Sequence, residues 1–140
     1  MEQVEKHRRW LLALVCFNVL STMMHYLDNI LFFHDYPEPA WITTHYIDAF
    51  WFIMTPVGIG GYLIFLKGRL NIAFAMFYLY SAMSLLVLGH YFYAPIWNLS
   101  VHINVLILME AFAAIALAYF VACIQFQHIR SRFPVDIYTN

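Results

Sequence analysis

The sequence predicts an all-α integral membrane protein, an antiparallel bundle of four transmembrane helices. The chain is 64% hydrophobic and 11% charged, with a mean hydropathy of +0.69, whereas about a quarter of the residues of a soluble domain are charged. Four apolar segments have the roughly 20 residues that a helix needs to cross a bilayer. The lipid bilayer is therefore the expected partner, and a net charge of -1 indicates no nucleic-acid partner.

The four predicted spans form a single transmembrane domain over residues 1–140, and the short connections between them predict that neighbouring helices are antiparallel. In the second span, Pro56, Gly58, Gly60 and Gly61 are expected to bend the helix or to let a neighbouring helix approach closely. The predicted spans are 10–33, 44–66, 70–93 and 97–126.

The basic residues predict the orientation of the bundle. All seven lie before the first span, in the turn between spans two and three, or after span four: Lys6, Arg8, Arg9, Lys67, Arg69, Arg130 and Arg132. The positive-inside rule then places both termini and the 67–69 turn in the cytoplasm. Five aromatic residues are expected to form a belt at the opposite, outer interface: Tyr36, Trp41, Tyr46, Tyr93 and Trp97. In the loop between the first two spans, His34, Asp35 and Glu38 are expected to be solvated.

A repeated motif places ionisable groups inside the first two spans. Residues 25–28 read HYLD and residues 45–48 read HYID, so each His and Asp are three positions apart and share a helix face. In an antiparallel hairpin His25 is expected to lie level with Asp48, and Asp28 level with His45. The sequence thus predicts two crossed His–Asp pairs between the first two helices.

The third and fourth spans add His90 and His102 to the same outer half of the bundle, and Glu110 two turns deeper, near mid-bilayer. Ionisable groups in a bilayer cost about 2.5–3.5 kcal/mol each on insertion scales, and they usually face the bundle interior in pairs. An intramembrane site is therefore expected here.

Three explanations of this site remain open. In the first, it binds a transition metal (Fe, Cu, Zn or Mn), structurally or for redox or hydrolytic chemistry, because imidazole and carboxylate ligate these ions in bundle cores. Haem would need only two facing histidines and would leave the aspartates unexplained. The candidate metal ligands are His25, Asp28, His45, Asp48, His90 and His102.

In the second explanation, the site takes an apolar organic ligand or substrate. Asp28, Asp48 and Glu110 are then the candidate catalytic residues, because buried carboxylates suit proton transfer. In the third, His–Asp hydrogen bonds only staple the helices together. Transport is a further class, but it would require an oligomer, for which Gly58 and Gly61 offer a contact, because the cytoplasmic half has no polar path.

Several short motifs resemble the EXPERA family of four-helix membrane proteins, which includes emopamil-binding sterol isomerases and the related sigma-type ligand receptor. They cover about the first 70 residues: Trp10-Leu11-Leu12, Asp28, Tyr36-Pro37, Pro39-Ala40-Trp41 and Phe65-Leu66-Lys67-Gly68. The resemblance implies cytoplasmic termini and a lipid-accessible pocket for a sterol-like or cationic amphiphilic ligand. Asp28 and Asp48 would match the family's acidic residues and stabilise a carbocation or an ammonium group. The chain departs from the family in its shorter first loop and in His25, His45 and His102.

Overall fold

The computed structural model describes residues 2–132, with the side chains of residues 5–130, and within these ranges all regular structure is helical. Helix α1 spans Glu2–Leu31 and α2 spans Thr44–Leu66. Helix α3, Leu70–Leu85, continues through a 3₁₀ turn, Leu86–Gly89, into the short α4, His90–Tyr93. Helix α5 spans Val101–Arg132, and short 3₁₀ turns at Phe33–Asp35 and Ile96–Asn98 lie in the two longer connections.

Four helical segments are long and apolar enough to cross a membrane: Glu5–Leu31, Thr44–Leu66, Leu70–Tyr93 and Val101–Arg130. The chain is therefore an integral membrane protein in contact with lipid, and the predicted fold class is confirmed. The predicted second and third spans coincide with two of these segments. The fourth begins at 101 rather than 97, because the residues after Pro95 form the 3₁₀ turn, and α1 begins earlier than the predicted 10 and ends earlier than 33.

The helices are arranged in a ring, in which α1 packs against α2 and α5, and α3 packs against α2 and α5. Helix α1 therefore has two antiparallel neighbours, one before and one after it in the ring. We call the end of the bundle with residues 32–43 and 94–100 the loop end. The opposite end, with the 67–69 turn and the other basic residues, is the basic end.

Glycines let α2 and α3 approach closely. A Cβ built at Gly58 would lie 2.6 Å from the ring of Tyr80, and one at Gly61 would lie 3.1 Å from the ring of Phe77. Both rings are fully buried, so neither can move aside easily. The predicted close approach is thus made inside one bundle, and these glycines face α3 rather than an outer surface.

The core changes character along the bundle axis. Toward the basic end it is a cluster of apolar side chains: Leu11, Val15, Phe74, Phe77, Leu117 and Val121, among others. At mid-depth, buried polar residues appear, such as Asn18, whose Oδ1 accepts a hydrogen bond from Ser84 Oγ at 3.1 Å. Ionisable side chains follow toward the loop end. The structure therefore places the polar core in the half of the bundle where the sequence predicts a site.

Candidate intramembrane site at the loop end

A stripe of buried residues along α1 carries His25 into the core. Its members recur every three or four positions, the period of one helix face: Leu11, Val15, Asn18, Thr22, His25 and Asn29. His25 is six residues before the end of α1, so it lies about 9 Å below the loop end of that helix. The helical period therefore explains why this histidine points inward.

His25 pairs with Glu110 of α5. Its Nδ1 lies 2.6 Å from Oε2 of Glu110, and both residues are buried, with 3% and 0% of their surface exposed. With Glu110 ionised, the Nδ1–H donates to the carboxylate, so a neutral ring keeps a lone pair on Nε2. Such a short hydrogen bond between an imidazole and a carboxylate is of the strong, charge-assisted kind.

A second rung joins the same two helices nearer the loop end. The Nε2–H of His102, in the first turn of α5, donates to Oδ1 of Asp28 at 2.8 Å. The other carboxylate oxygen, Oδ2, accepts a bond of 2.7 Å from the hydroxyl of Tyr36. His102 is largely exposed, with 56% of its side chain accessible, whereas Asp28 is mostly covered. Asp28 and His102 thus form the outer edge of the site.

The loop after α1 folds back over the site and inserts Tyr36 into it. Tyr36 is buried and packs on Val87, Ile103, Ile107 and Ala111, so it belongs to the core and not to the predicted aromatic belt. Burial raises the pKa of its hydroxyl above the ordinary value, and the hydrogen bond to Asp28 adds to this effect. The phenol therefore stays protonated and acts as a donor.

Glu38, in the same loop, also reaches the site instead of being solvated as expected. Its Oε1 accepts a hydrogen bond of 2.7 Å from Asn29 Nδ2 and lies 3.7 Å from Nδ1 of His90. Only 13% of the Glu38 side chain is accessible. The sequence carried little signal for this, because a carboxylate in a polar loop is most often exposed. The other loop acid, Asp35, and His34 are exposed as expected.

Three rings meet at the centre of the site. The ring of His25 lies 5.4 Å from that of His90, measured between centroids and nearly perpendicular to it, and Tyr36 contacts both rings at 5.6 and 5.4 Å. We call the whole assembly the polar cluster. Its members are His25, Asp28, Asn29, Tyr36, Glu38, His90, His102 and Glu110.

Several buried atoms of the polar cluster have no hydrogen-bond partner in the described part of the chain. They are His25 Nε2, Glu110 Oε1 and Asn29 Oδ1. All three carry lone pairs when Glu110 is ionised and the His25 ring is neutral. Buried polar atoms are nearly always satisfied in native proteins, so an unpartnered one calls for an explanation. With these protonation states, the polar cluster contains three buried acceptor atoms without a partner.

The predicted crossed pairing between α1 and α2 is wrong. His45 and Asp48 are exposed, and neither side chain has a hydrogen bond or ion pair among the described residues. The buried face of α2 instead follows Ile47, Met54, Gly58 and Gly61. Residues 45 and 48 lie on another face, so they are not brought to the site. Helix α1 meets α2 through the stacked rings of Tyr26 and Phe50, 6.4 Å apart.

Four of the six predicted metal ligands, His25, Asp28, His90 and His102, are thus in the polar cluster. Glu110, a predicted catalytic residue, is also in it. Two ligands, His45 and Asp48, are outside. Over the part of the chain that the structure describes, no group of three His, Cys, Asp or Glu side chains is arranged to hold a metal ion. Metal binding therefore stays a prediction.

A comparison of the chain with models of protein families, with curated proteins and with solved structures finds no match. The resemblance to the EXPERA family likewise stays a prediction.

Proposed function

We propose that this membrane protein binds a cation in the polar cluster, and that the cation enters from the loop end, which faces the non-cytoplasmic side. The observation that carries the proposal is the buried, unpartnered Nε2 of His25, whose other ring nitrogen is bonded to Glu110. A metal ion or the N–H of an ammonium would bind the lone pair of this Nε2, and the Glu110 carboxylate would supply negative charge behind the ring.

The charges around the polar cluster support a cation. Three carboxylates belong to it, on Asp28, Glu38 and Glu110, while every Lys and Arg of the chain belongs to the basic end. The positive charge near the carboxylates is therefore limited to what three histidines can carry. Low-dielectric surroundings strengthen this field, so a cation gains more from this site than an anion or a neutral group does.

A transition metal is the first candidate because of the two central histidines. Two imidazoles on one tetrahedral ion, with metal–nitrogen bonds of roughly 2.0–2.1 Å, have ring centroids about 5 Å apart. The centroids of His25 and His90 are 5.4 Å apart. Carboxylates beside the opposite ring nitrogens are typical of metal-binding histidines, and here they are supplied by Glu110 and Glu38. Water or a substrate would fill the remaining coordination positions.

A protonated amine on a lipid-soluble molecule is the second candidate. It needs no set of three ligands, and it suits a site that lies within an apolar bundle and has an exposed edge at His102. This candidate corresponds to the cationic amphiphile that the EXPERA resemblance implies. The carboxylate pair would differ from that of the family, since Asp48 is exposed and Glu110 would supply the second carboxylate beside Asp28.

Metal analysis of protein purified without a His-tag or chelator tests the first candidate. We expect about one equivalent of Fe, Cu, Zn or Mn in the wild type, and its loss in His25→Ala and His90→Ala. His45→Ala is the matched control, because it removes a histidine of the same half of the bundle that lies outside the polar cluster. Metal retained in all three variants would contradict the assignment to these two histidines.

If the wild type binds no metal even after reconstitution, a long-chain alkylamine tests the second candidate. Its binding to protein in nanodiscs is compared with that of the alcohol of equal chain length, which has similar apolar surface and no charge. The proposal expects saturable binding of the amine, lost in Glu110→Gln, and no saturable binding of the alcohol. If neither the metal nor the amine binds, the proposal is wrong, and the His–carboxylate pairs serve only to hold the helices together.

A further inference from the structure

The outward face of α2 carries an unusual pair of side chains. Away from the basic end, His45 and Asp48 are the exposed His, Asp or Glu residues of the described spans that have no hydrogen bond or ion pair. His102 is exposed too, but it is bonded to Asp28. Ionisable groups in spans are expected to be paired, so the pair on α2 calls for a partner outside the bundle.

The same face continues as a regular apolar seam. His45, Phe52, Ile59 and Leu66 are all exposed and recur every seven residues, and Asp48 and Leu63 flank the same line. Positions seven residues apart stay on one helix face, so a second helix can pack along this line with a slight left-handed crossing. The small residues Gly58 and Gly61 are already used against α3, so this seam is a separate surface.

We propose that this seam, defined by His45, Asp48, Phe52, Ile59 and Leu66, is the interface of a homodimer with two-fold symmetry about the membrane normal. Symmetry brings the two α2 helices together in parallel, so each residue meets its own counterpart and the residues one turn away. His45 of one copy then lies beside Asp48 of the other, and the reverse pair forms as well. Charge complementarity with a second copy is built into the sequence of the seam.

Disulfide cross-linking in a lipid bilayer tests the interface. The background is the full chain with Cys16→Ala and Cys123→Ala, reconstituted at low protein-to-lipid ratio. Phe52→Cys in this background is expected to form a covalent dimer on oxidation. Leu79→Cys is the matched control, since Leu79 is similarly exposed, but on α3. Equal cross-linking at both positions, or none at Phe52→Cys, would overturn the proposal.

A charge exchange tests the pairing itself. His45→Asp replaces both His–Asp contacts with contacts between two carboxylates and is expected to weaken dimerisation roughly fivefold, as for interhelical polar contacts in membranes. The double exchange His45→Asp with Asp48→His is expected to restore it. If both variants dimerise like the wild type, the pair does not contribute to an interface and lies instead in the headgroup layer.

Discussion

Glu110 shows how one side chain connects the stability of this bundle to its proposed function. It is fully buried, and one oxygen holds Nδ1 of His25 while the other has no partner. Removing the side chain leaves a buried imidazole N–H without an acceptor, which lowers the free energy of unfolding by about 1–3 kcal/mol. Removing only the charge keeps an acceptor for that N–H. The two roles of Glu110 can therefore be separated by two substitutions.

We expect Glu110→Gln to keep a thermal unfolding midpoint near that of the wild type, while Glu110→Ala lowers it. Cation affinity, in contrast, should fall roughly 10- to 100-fold in Glu110→Gln, as for the loss of a carboxylate behind a metal-binding histidine. Thermal melts in detergent and the binding measurement on the same samples test this. Unchanged affinity in Glu110→Gln would mean that the carboxylate acts only in folding.

At the scale of helices, α1 is the element that organises the site, because it faces α5 with one set of residues and α2 with another. The rungs His25–Glu110 and Asp28–His102 both join α1 to α5. The order of the two rungs is that of antiparallel partners, because His25–Glu110 lies deeper than Asp28–His102 on both helices. Two crossed His–carboxylate pairs are thus present, but they join α1 to α5 and not to α2 as expected.

Helix α2 contributes through its packing on α3, and this gives a prediction at the same scale. Gly58→Ala places a methyl group 2.6 Å from the ring of the fully buried Tyr80. We expect a destabilisation of about 1–3 kcal/mol from overpacking, measured as a lower unfolding midpoint. Gly89→Ala is the control, because a Cβ there meets nothing within 4 Å. Equal midpoints for the two variants would show that the two helices shift apart without cost.

At the scale of the whole molecule, the bundle has a polar half and an apolar half. Leu11, Val15, Phe77 and Leu117 belong to the apolar core toward the basic end, and the polar cluster has its exposed edge at His102. Among the described residues, the polar cluster is therefore closest to solvent at the loop end, and the apolar core separates it from the basic end. The direction from which a ligand arrives depends on the orientation of the bundle.

The positive-inside rule predicts that orientation, and surface labelling of intact cells tests it. In the cysteine-free background, Asp35→Cys at the loop end should react with a membrane-impermeant maleimide. Lys67→Cys, also exposed but in the turn at the basic end, should react only after the membrane is permeabilised. The reverse pattern would place the site on the cytoplasmic side and contradict the proposed route of entry.

The amino-acid sequence by itself determined the four helices, their length and the half of the bundle that holds ionisable groups. These features follow from hydropathy, helical period and chain direction, all of which are local properties. Depth along each helix could also be counted from the sequence, which predicted His25, Asp28, His90 and His102 near the loop end and Glu110 deeper in the bundle.

Only the tertiary structure decided which of these residues meet. Pairing depends on the rotation of each helix about its axis and on which helices are neighbours in the ring. The close approach of α2 to α3 at Gly58 orients α2 so that His45 and Asp48 face outward. The loop that folds Tyr36 and Glu38 into the core has no periodic pattern from which its path could be read. Contacts between distant segments are a property of the packed bundle, because each depends on the positions of all four helices at once.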